Sequence, residues 1–291
     1  MKLVVAATPK VAIPAIEKLL LEHDVKIITQ PDRPAGRGKK LQATPVALAF
    51  TSTIKPENEE QLSEILLGSD LLITIGYGRL LKESTLSIPK FGGINLHFSL
   101  LPRWRGAAPV QRAIEAGEKV TGVTVFQMDS GMDTGPIWTQ REFEIPYGFN
   151  STDLFDALSH VGTEALLEAL NLIMANNSPK PQSGTPTIAR KVSKEECRIA
   201  WDAQTVAILR KIRAFSANPG VFTFIRGEMI KILSARESEI DLKPGELNKF
   251  GQVGTGDGAI QIIEVVPAGK RAMAASDWLN GFKLQPGESF E

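Results

Sequence analysis

"INLHFSLLPRWRGAAPVQ" occupies residues 94–111. A short apolar run sets Asn95 and His97 two residues apart, then breaks at once into Pro102, Trp104 and two arginines, Arg103 and Arg105. The run reads as a strand, and a side-chain period of two puts Asn95 and His97 on one face at its end. In an open α/β sheet the ligand crevice lies beyond the carboxyl ends of the strands. A neutral imidazole moves protons near pH 7, and an Asn amide can donate to a carbonyl oxygen as that oxygen gains charge, so the pair suits acyl transfer. Taken alone, either residue is more often a capping or satisfied polar group at a strand end, and support has to come from elsewhere in the chain.

Similar Val- and Ile-rich runs lie at "KLVVAA" (2–7), "DVKIIT" (24–29), "LLITIG" (71–76) and "GVTVFQM" (122–128). Between several of them, "IPAIEKLLLEH" and "NEEQLSEILLG" repeat Leu and Ile at helical spacing. Strands alternating with helices predict an α/β domain with a largely parallel sheet. A long amphipathic helix is expected over "STDLFDALSHVGTEALLEALNLIMANN", opening on a Ser/Thr cap. After it, "NNSPKPQSGTPT" (176–187) gathers Pro, Ser, Asn and Gly without periodicity, as a linker does. Beyond lie one helix-like stretch, "DAQTVAILRKIRAF", and the β-type runs "VFTFIRG", "MIKILSARE", "GQVGTG" and "AIQIIEVV", which suggest a small barrel or sandwich. The expected division is a domain over 1–176, a linker over 177–194 and a second domain over 195–291.

Composition agrees with two soluble domains. The 291 residues exceed the usual roughly 100 to 200 of one domain. Apolar residues make up 43% and charged residues 23%, enough for a real core. Lysine plus arginine balance aspartate plus glutamate at 33 each, so any polyanion must be met by a local basic patch. The single cysteine, Cys197, excludes an internal disulfide and a cysteine-based zinc site and is expected to be structural. "MKLVVAATPK" is too short an apolar run for a signal peptide, and no run approaches the ~18 residues of a membrane span, so a cytoplasmic protein is expected.

Two segments disfavour nucleotide chemistry. "ATPKVAIP" follows the first strand, where a dinucleotide fold carries its glycines, yet has none. "GTGDG" (254–258) lies between two β-type runs and reads as a hairpin turn. Nor is there a G-x-S-x-G elbow, an H-E-x-x-H or a cysteine cluster, so covalent serine chemistry and zinc hydrolysis lack their signatures and no metal is expected. Direct transfer of an activated acyl group to an amine needs none of these. It needs a base, an oxyanion donor and an acid for the leaving nitrogen. Asp133, between Gly131 and Gly135 in "MDSGMDTGPI", is placed to orient His97 or stabilise its charged form, although an Asp in a glycine turn also has a purely local use. His23, at a helix end, and His160, within a helix, are expected to be structural.

"INLHFSLLPRWRGAAPVQ" and "GVTVFQMDSGMDTGPI" together resemble the signature of the folate-dependent formyltransferases. The likeness to the branch acting on an aminoacyl-tRNA extends through "QPDRPAGRGKKLQATPV" and "GTGDGAIQIIEVVPAGKRAM", and so over almost the whole chain. The resemblance implies a Rossmann-like open sheet followed by an OB-like β-barrel, and formyl transfer from 10-formyltetrahydrofolate to the α-amine of methionyl-initiator tRNA. It matches Asn95, His97 and Asp133 to the family's catalytic residues, with Asn95 donating to the formyl oxygen and His97, held by Asp133, moving protons. It assigns Ser99, Leu100, Leu101 and Pro102, with Tyr77 and Gly78 of "IGYGRLL", to the folate pocket.

The basic stretch "PDRPAGRGKK" sets Arg33, Arg37, Lys39 and Lys40 among prolines and glycines that cannot propagate a helix or central strand, so it is expected to project as a loop. A basic loop is ordinarily just solvated; the resemblance makes it a contact for the tRNA acceptor end, with disorder expected in the free protein. Lys270 and Arg271, with Lys211 and Arg213, are weaker candidates for the tRNA-facing surface, and Arg103 and Arg105 could meet terminal phosphates or the folate tail. Two departures from the family pattern stand out: "AATP" where many members carry glycine, and Phe98 after the catalytic His where many carry a small residue. The rival readings are a formyltransferase acting on a small amine and a tRNA-binding relative without activity. No obligate protein partner is expected.

Overall fold

The computed structural model describes residues 1–35, 40–216, 219–285 and 287–291. The chain opens with β1 (Lys2–Ala7), α1 (Ile13–Glu22) and β2 (Asp24–Ile28), followed by a two-stranded ribbon of β3 (Arg33–Ala35) and β4 (Lys40–Gln42). Next come α2 (Pro45–Ala49), α3 (Glu59–Leu66), β5 (Leu71–Ile75), α4 (Glu83–Leu86) and β6 (Gly93–His97). Then follow β7 (Arg105–Gly106), α5 (Pro109–Ala116), β8 (Val120–Gln127), β9 (Ile137–Glu144), α6 (Ser151–Met174) and β10 (Ile188–Ala189). The main sheet runs β2-β1-β5-β6-β8-β9, parallel from β2 to β6 and antiparallel across β6–β8 and β8–β9. Strand β5 is buried along its whole length and β1 from its second residue onward, as the middle of a sheet covered on both faces requires.

Two local expectations change. The basic stretch is not wholly loop: Arg33, Pro34 and Ala35 pair with Gln42, Leu41 and Lys40. Proline fits there because both strands of a two-stranded ribbon are edges. Arg37 and Lys39 lie outside the described residues. The cap of α6 is Asn150, not a Ser or Thr: its Oδ1 accepts from the amides of Thr152 and Asp153 at 2.8 and 3.2 Å, and the Asp153 carboxylate accepts from the Asn150 amide at 3.1 Å. This reciprocal box satisfies amides that the first helical turn leaves without partners.

The second half holds α7 (Thr205–Phe215), β11 (Val221–Ile225), β12 (Glu228–Ser238), β13 (Gln252–Gly254), β14 (Ala259–Pro267), β15 (Met273–Ala274) and α8 (Ala275–Phe282). Its strands form a curled antiparallel sheet in the order β11-β12-β14-β13, with β15 on β14, which is the small-barrel type of the expected OB-like domain. A register shift at Ser234 supplies the bulge that bends β12. "GTGDG" is the β13–β14 turn, and Asp257 accepts from the Thr205 amide and hydroxyl at 2.7 and 2.9 Å, capping α7. A side chain at Gly256 would come within 2.1 Å of the Asp202 carbonyl, so the glycine allows a backbone contact and no phosphate cradle is implied. By packing, one compact unit comprises Met1–Pro109, Val120–Glu144 and Phe155–Ala189, and the other Val110–Lys119, Ile145–Leu154 and Arg190–Glu291.

Candidate active site

Strand β6 ends on the face expected. Asn95 and His97 stand opposite Phe126 and Thr124 of β8, while Leu96 between them meets Gly162 of α6 from the other face. The Asn95 amide donates one hydrogen to Thr74 Oγ1 at 2.7 Å, and Thr74 is its register partner on β5. That bond fixes the amide and leaves its second N–H available.

His97 is buried, and its Nε2 lies 2.9 Å from the Trp104 carbonyl. A carbonyl oxygen only accepts, so Nε2 carries the proton and Nδ1 carries the lone pair of the neutral ring. Asp133 Oδ2 stands 3.7 Å from Nδ1 and accepts from the Gly106 amide at 2.7 Å. Burial pulls the imidazole below its ordinary range, while the Asp133 charge and the bond to Trp104 push the other way without overcoming it. The ring is thus neutral near pH 7, with its basic nitrogen turned towards a carboxylate.

Asp133 reaches this position through an unexpected route. Because β8 is antiparallel to β6, Gln127 at its end faces Ile94, so the following loop leaves from the edge away from His97. It turns back on itself: the Asp129 carboxylate accepts from the Gly131 amide at 3.0 Å and the Thr134 hydroxyl at 2.7 Å, and Asp133 adopts the left-handed conformation (φ 56°). At Gly135 a Cβ would lie 1.8 Å from the Gln127 carbonyl, so only glycine closes the loop.

The turn after β6 is held from beneath. Thr124 Oγ1 donates to the Ser99 carbonyl and accepts from the Leu101 amide, Gln140 donates to the Leu101 carbonyl, and Ser99 Oγ donates to the Arg103 carbonyl. Ser99, Leu101 and Pro102 are buried and Leu100 half-buried. With these polar groups engaged inside the protein, the turn offers chiefly an apolar wall. The Tyr77 ring lies in the core cluster with Leu62, Leu66 and Leu81, and its carbonyl accepts from Thr8, so it presents no ring to a crevice; Gly78 is exposed, with open space around its α-carbon. Phe98 is buried edge-on against Phe155 at 5.8 Å, which places the bulky residue after His97 in the core. Arg33, Lys40, Lys270 and Arg271 are exposed, as a polyanion contact needs to be.

The formyl transferase family model matches residues 1–170, and the model of the family's C-terminal domain matches 191–283. The chain belongs to the formyl transferase family. It is 38% identical to the methionyl-tRNA formyltransferase of Streptomyces griseus over 99% of both chains, and 39% identical to that of a Jannaschia species over the full length of both. Among solved structures, HypX from Aquifex aeolicus in complex with tetrahydrofolic acid shares the fold with a TM-score of 0.72 at 21% identity; the likeness covers 97% of this chain and 47% of that one. Within this formyl transferase, sequence reading missed Thr74 and Thr124, which hold Asn95 and the turn after β6, and Gln182 and Thr187, which bond to the Asp133 carbonyl and the Trp104 amide. Thr74 stands at Asn95's level only by strand pairing, and Thr124 is buried. No spacing rule could have singled them out.

Proposed function

We propose that the chain transfers the formyl group of 10-formyltetrahydrofolate to the α-amine of methionyl-initiator tRNA in the cytoplasm. The observation that carries the reading is the end-to-end likeness, second domain included, to enzymes bearing that name. The folate supplies an activated formyl group. For its ring system the 99–102 turn offers the half-buried Leu100, and the exposed backbone at Gly78 is the other expected contact.

The side chains then divide the work. The free N–H of Asn95 donates to the formyl oxygen as a new carbon–nitrogen bond forms and charge gathers there. His97 Nδ1 takes the proton that the attacking amine must lose, and the same proton serves the folate nitrogen as its bond to the formyl carbon breaks. Asp133 stabilises the imidazolium in the interval, turning a lone pair facing a carboxylate into an ion pair. Arg33, Arg37, Lys39, Lys40, Lys270 and Arg271 supply phosphate contacts for the tRNA.

Formyl transfer should be measured with methionyl-initiator tRNA and, in parallel, with a small amine. Transfer to the tRNA alone is expected, with Asn95→Ala and His97→Ala each lowering turnover on the order of 10²- to 10³-fold and Asp133→Asn also impaired. Transfer to the small amine alone, or full activity in folded Asn95 and His97 variants, would sink the proposal.

A further inference from the structure

Residues 181–188 run across the first unit almost fully exposed. Gln182 and Thr187 are the two half-buried positions in that stretch, and both turn inward onto the catalytic cluster. Gln182 Nε2 donates to the carbonyls of Asp133 at 2.9 Å and Gly135 at 2.8 Å, while its Oε1 accepts from Arg105 Nη2 at 2.7 Å and Nε at 3.2 Å. Two acceptors face its nitrogen and two donors its oxygen, so the amide has a single orientation. Thr187 Oγ1 accepts from the Trp104 amide at 2.8 Å. Trp104 sits in the left-handed region at φ 60°, costly for a bulky side chain, and its carbonyl is the acceptor for His97 Nε2. The neighbouring β7–β10 pairing ties the same stretch to Arg105 and Gly106.

We propose that this segment, whose composition reads as a linker, is a strap that positions the catalytic groups. Thr187 holds the Trp104 peptide in the conformation that keeps the His97 proton on Nε2. Gln182 fixes the left-handed backbone of Asp133, and with it the carboxylate opposite Nδ1, and joins Arg105 to the same frame. The strap lies between the regions that the two family models cover, 1–170 and 191–283. Neither residue touches a reacting atom; both are positioning residues. The inference rests on the proposed roles of His97 and Asp133, and its test is chosen to be independent of the acceptor.

The full chain has three histidines, so ¹⁵N-labelled histidine gives a tractable spectrum in which His97→Gln identifies the site. Asp133 is the charged group facing the ring, Phe126 meets its edge at 6.4 Å, and Arg105 stands behind Asp133 through Gln182. The wild type should show the Nε2–H tautomer at neutral pH. Thr187→Val should shift population towards Nδ1–H, and Thr187→Ser should restore it. Gln182→Glu keeps the bond to Arg105 but can no longer donate to the two carbonyls. It should displace the His97 titration and the acid limb of the kcat/KM profile together, with turnover falling tenfold or more and the thermal midpoint little changed. A wild-type His97 spectrum and titration in folded Thr187→Val and Gln182→Glu overturns the strap. Should the glutamate variant not fold, the valine and serine pair decides alone. Absence of formyl transfer by the wild type overturns the functional reading, and the spectra still decide the strap.

Discussion

At the scale of single residues, the consequences centre on a buried ring that stays neutral. His97 carries the lowered affinity for protons that burial imposes, so the unfolded chain binds a proton at this site at a pH where the folded chain does not. Stability from this residue is therefore complete above the ordinary histidine value of about 6.5 and declines as pH falls from there towards the lowered folded value. Urea titrations at a series of pH values should show this acid slope, and His97→Gln should flatten it. The same ionisation should set the acid limb of kcat/KM, below the ordinary histidine range. Thr74 offers a second check. Thr74→Val keeps the shape but removes the acceptor that orients Asn95, a loss of about 1 kcal/mol that should read as roughly fivefold in turnover. Asn95, His97 and Asp133 were legible because each is a chemically distinctive side chain in a distinctive motif. Thr74 and Gln182 were not, since a threonine in a strand and a glutamine among prolines are ordinary in themselves, and only their partners give them work.

At the scale of elements, the strand β6, the loop carrying Asp133 and the helix α6 show what local patterning carries and where it stops. Apolar runs placed β1, β2, β5, β6 and β8, and Leu and Ile spacing placed α1 and α3. The direction of β8 was not encoded in that way, because alternation is identical in parallel and antiparallel strands. Strand β9 was overlooked too: "IWTQREFE" is half polar, as an edge strand can be. The Asp133 loop depends on glycine at 135, where a Cβ would lie 1.8 Å from the Gln127 carbonyl. Gly135→Ala should force the loop off the Gln127 carbonyl, lowering turnover by well over tenfold, and a formyl-transfer assay on the folded variant checks it. In α6, Asn150→Ala removes the acceptor for two amides and should cost about 1 kcal/mol in a denaturant melt, with activity largely retained.

At the scale of the whole molecule, zero net charge means that a polyanion is met by placement of charge, not by its total. If Lys270 and Arg271 each neutralise a phosphate, replacing both by Ala should reduce the slope of log affinity against log salt by about 2, and an unchanged slope would remove them from the interface. The second unit closes on its own tail: Phe290 stacks on Trp201 at 5.3 Å and on Trp278 at 6.2 Å, and the Phe290 and Glu291 amides donate to the carbonyls of Gly245 and Phe224. Phe290→Ala should destabilise that unit by about 3–5 kcal/mol, followed through the emission of its two tryptophans. Sequence by itself determined the α/β class, the later small β domain and the family, and it singled out Asn95, His97 and Asp133 as the proposed catalytic groups, because these readings rest on periodicity and on side chains that few other chemistries use. Tertiary structure alone decided which nitrogen of His97 is basic, how Asp133 reaches it and that an apparent linker holds both. Those facts depend on hydrogen bonds between residues as many as 83 positions apart, and no local pattern records such a pairing.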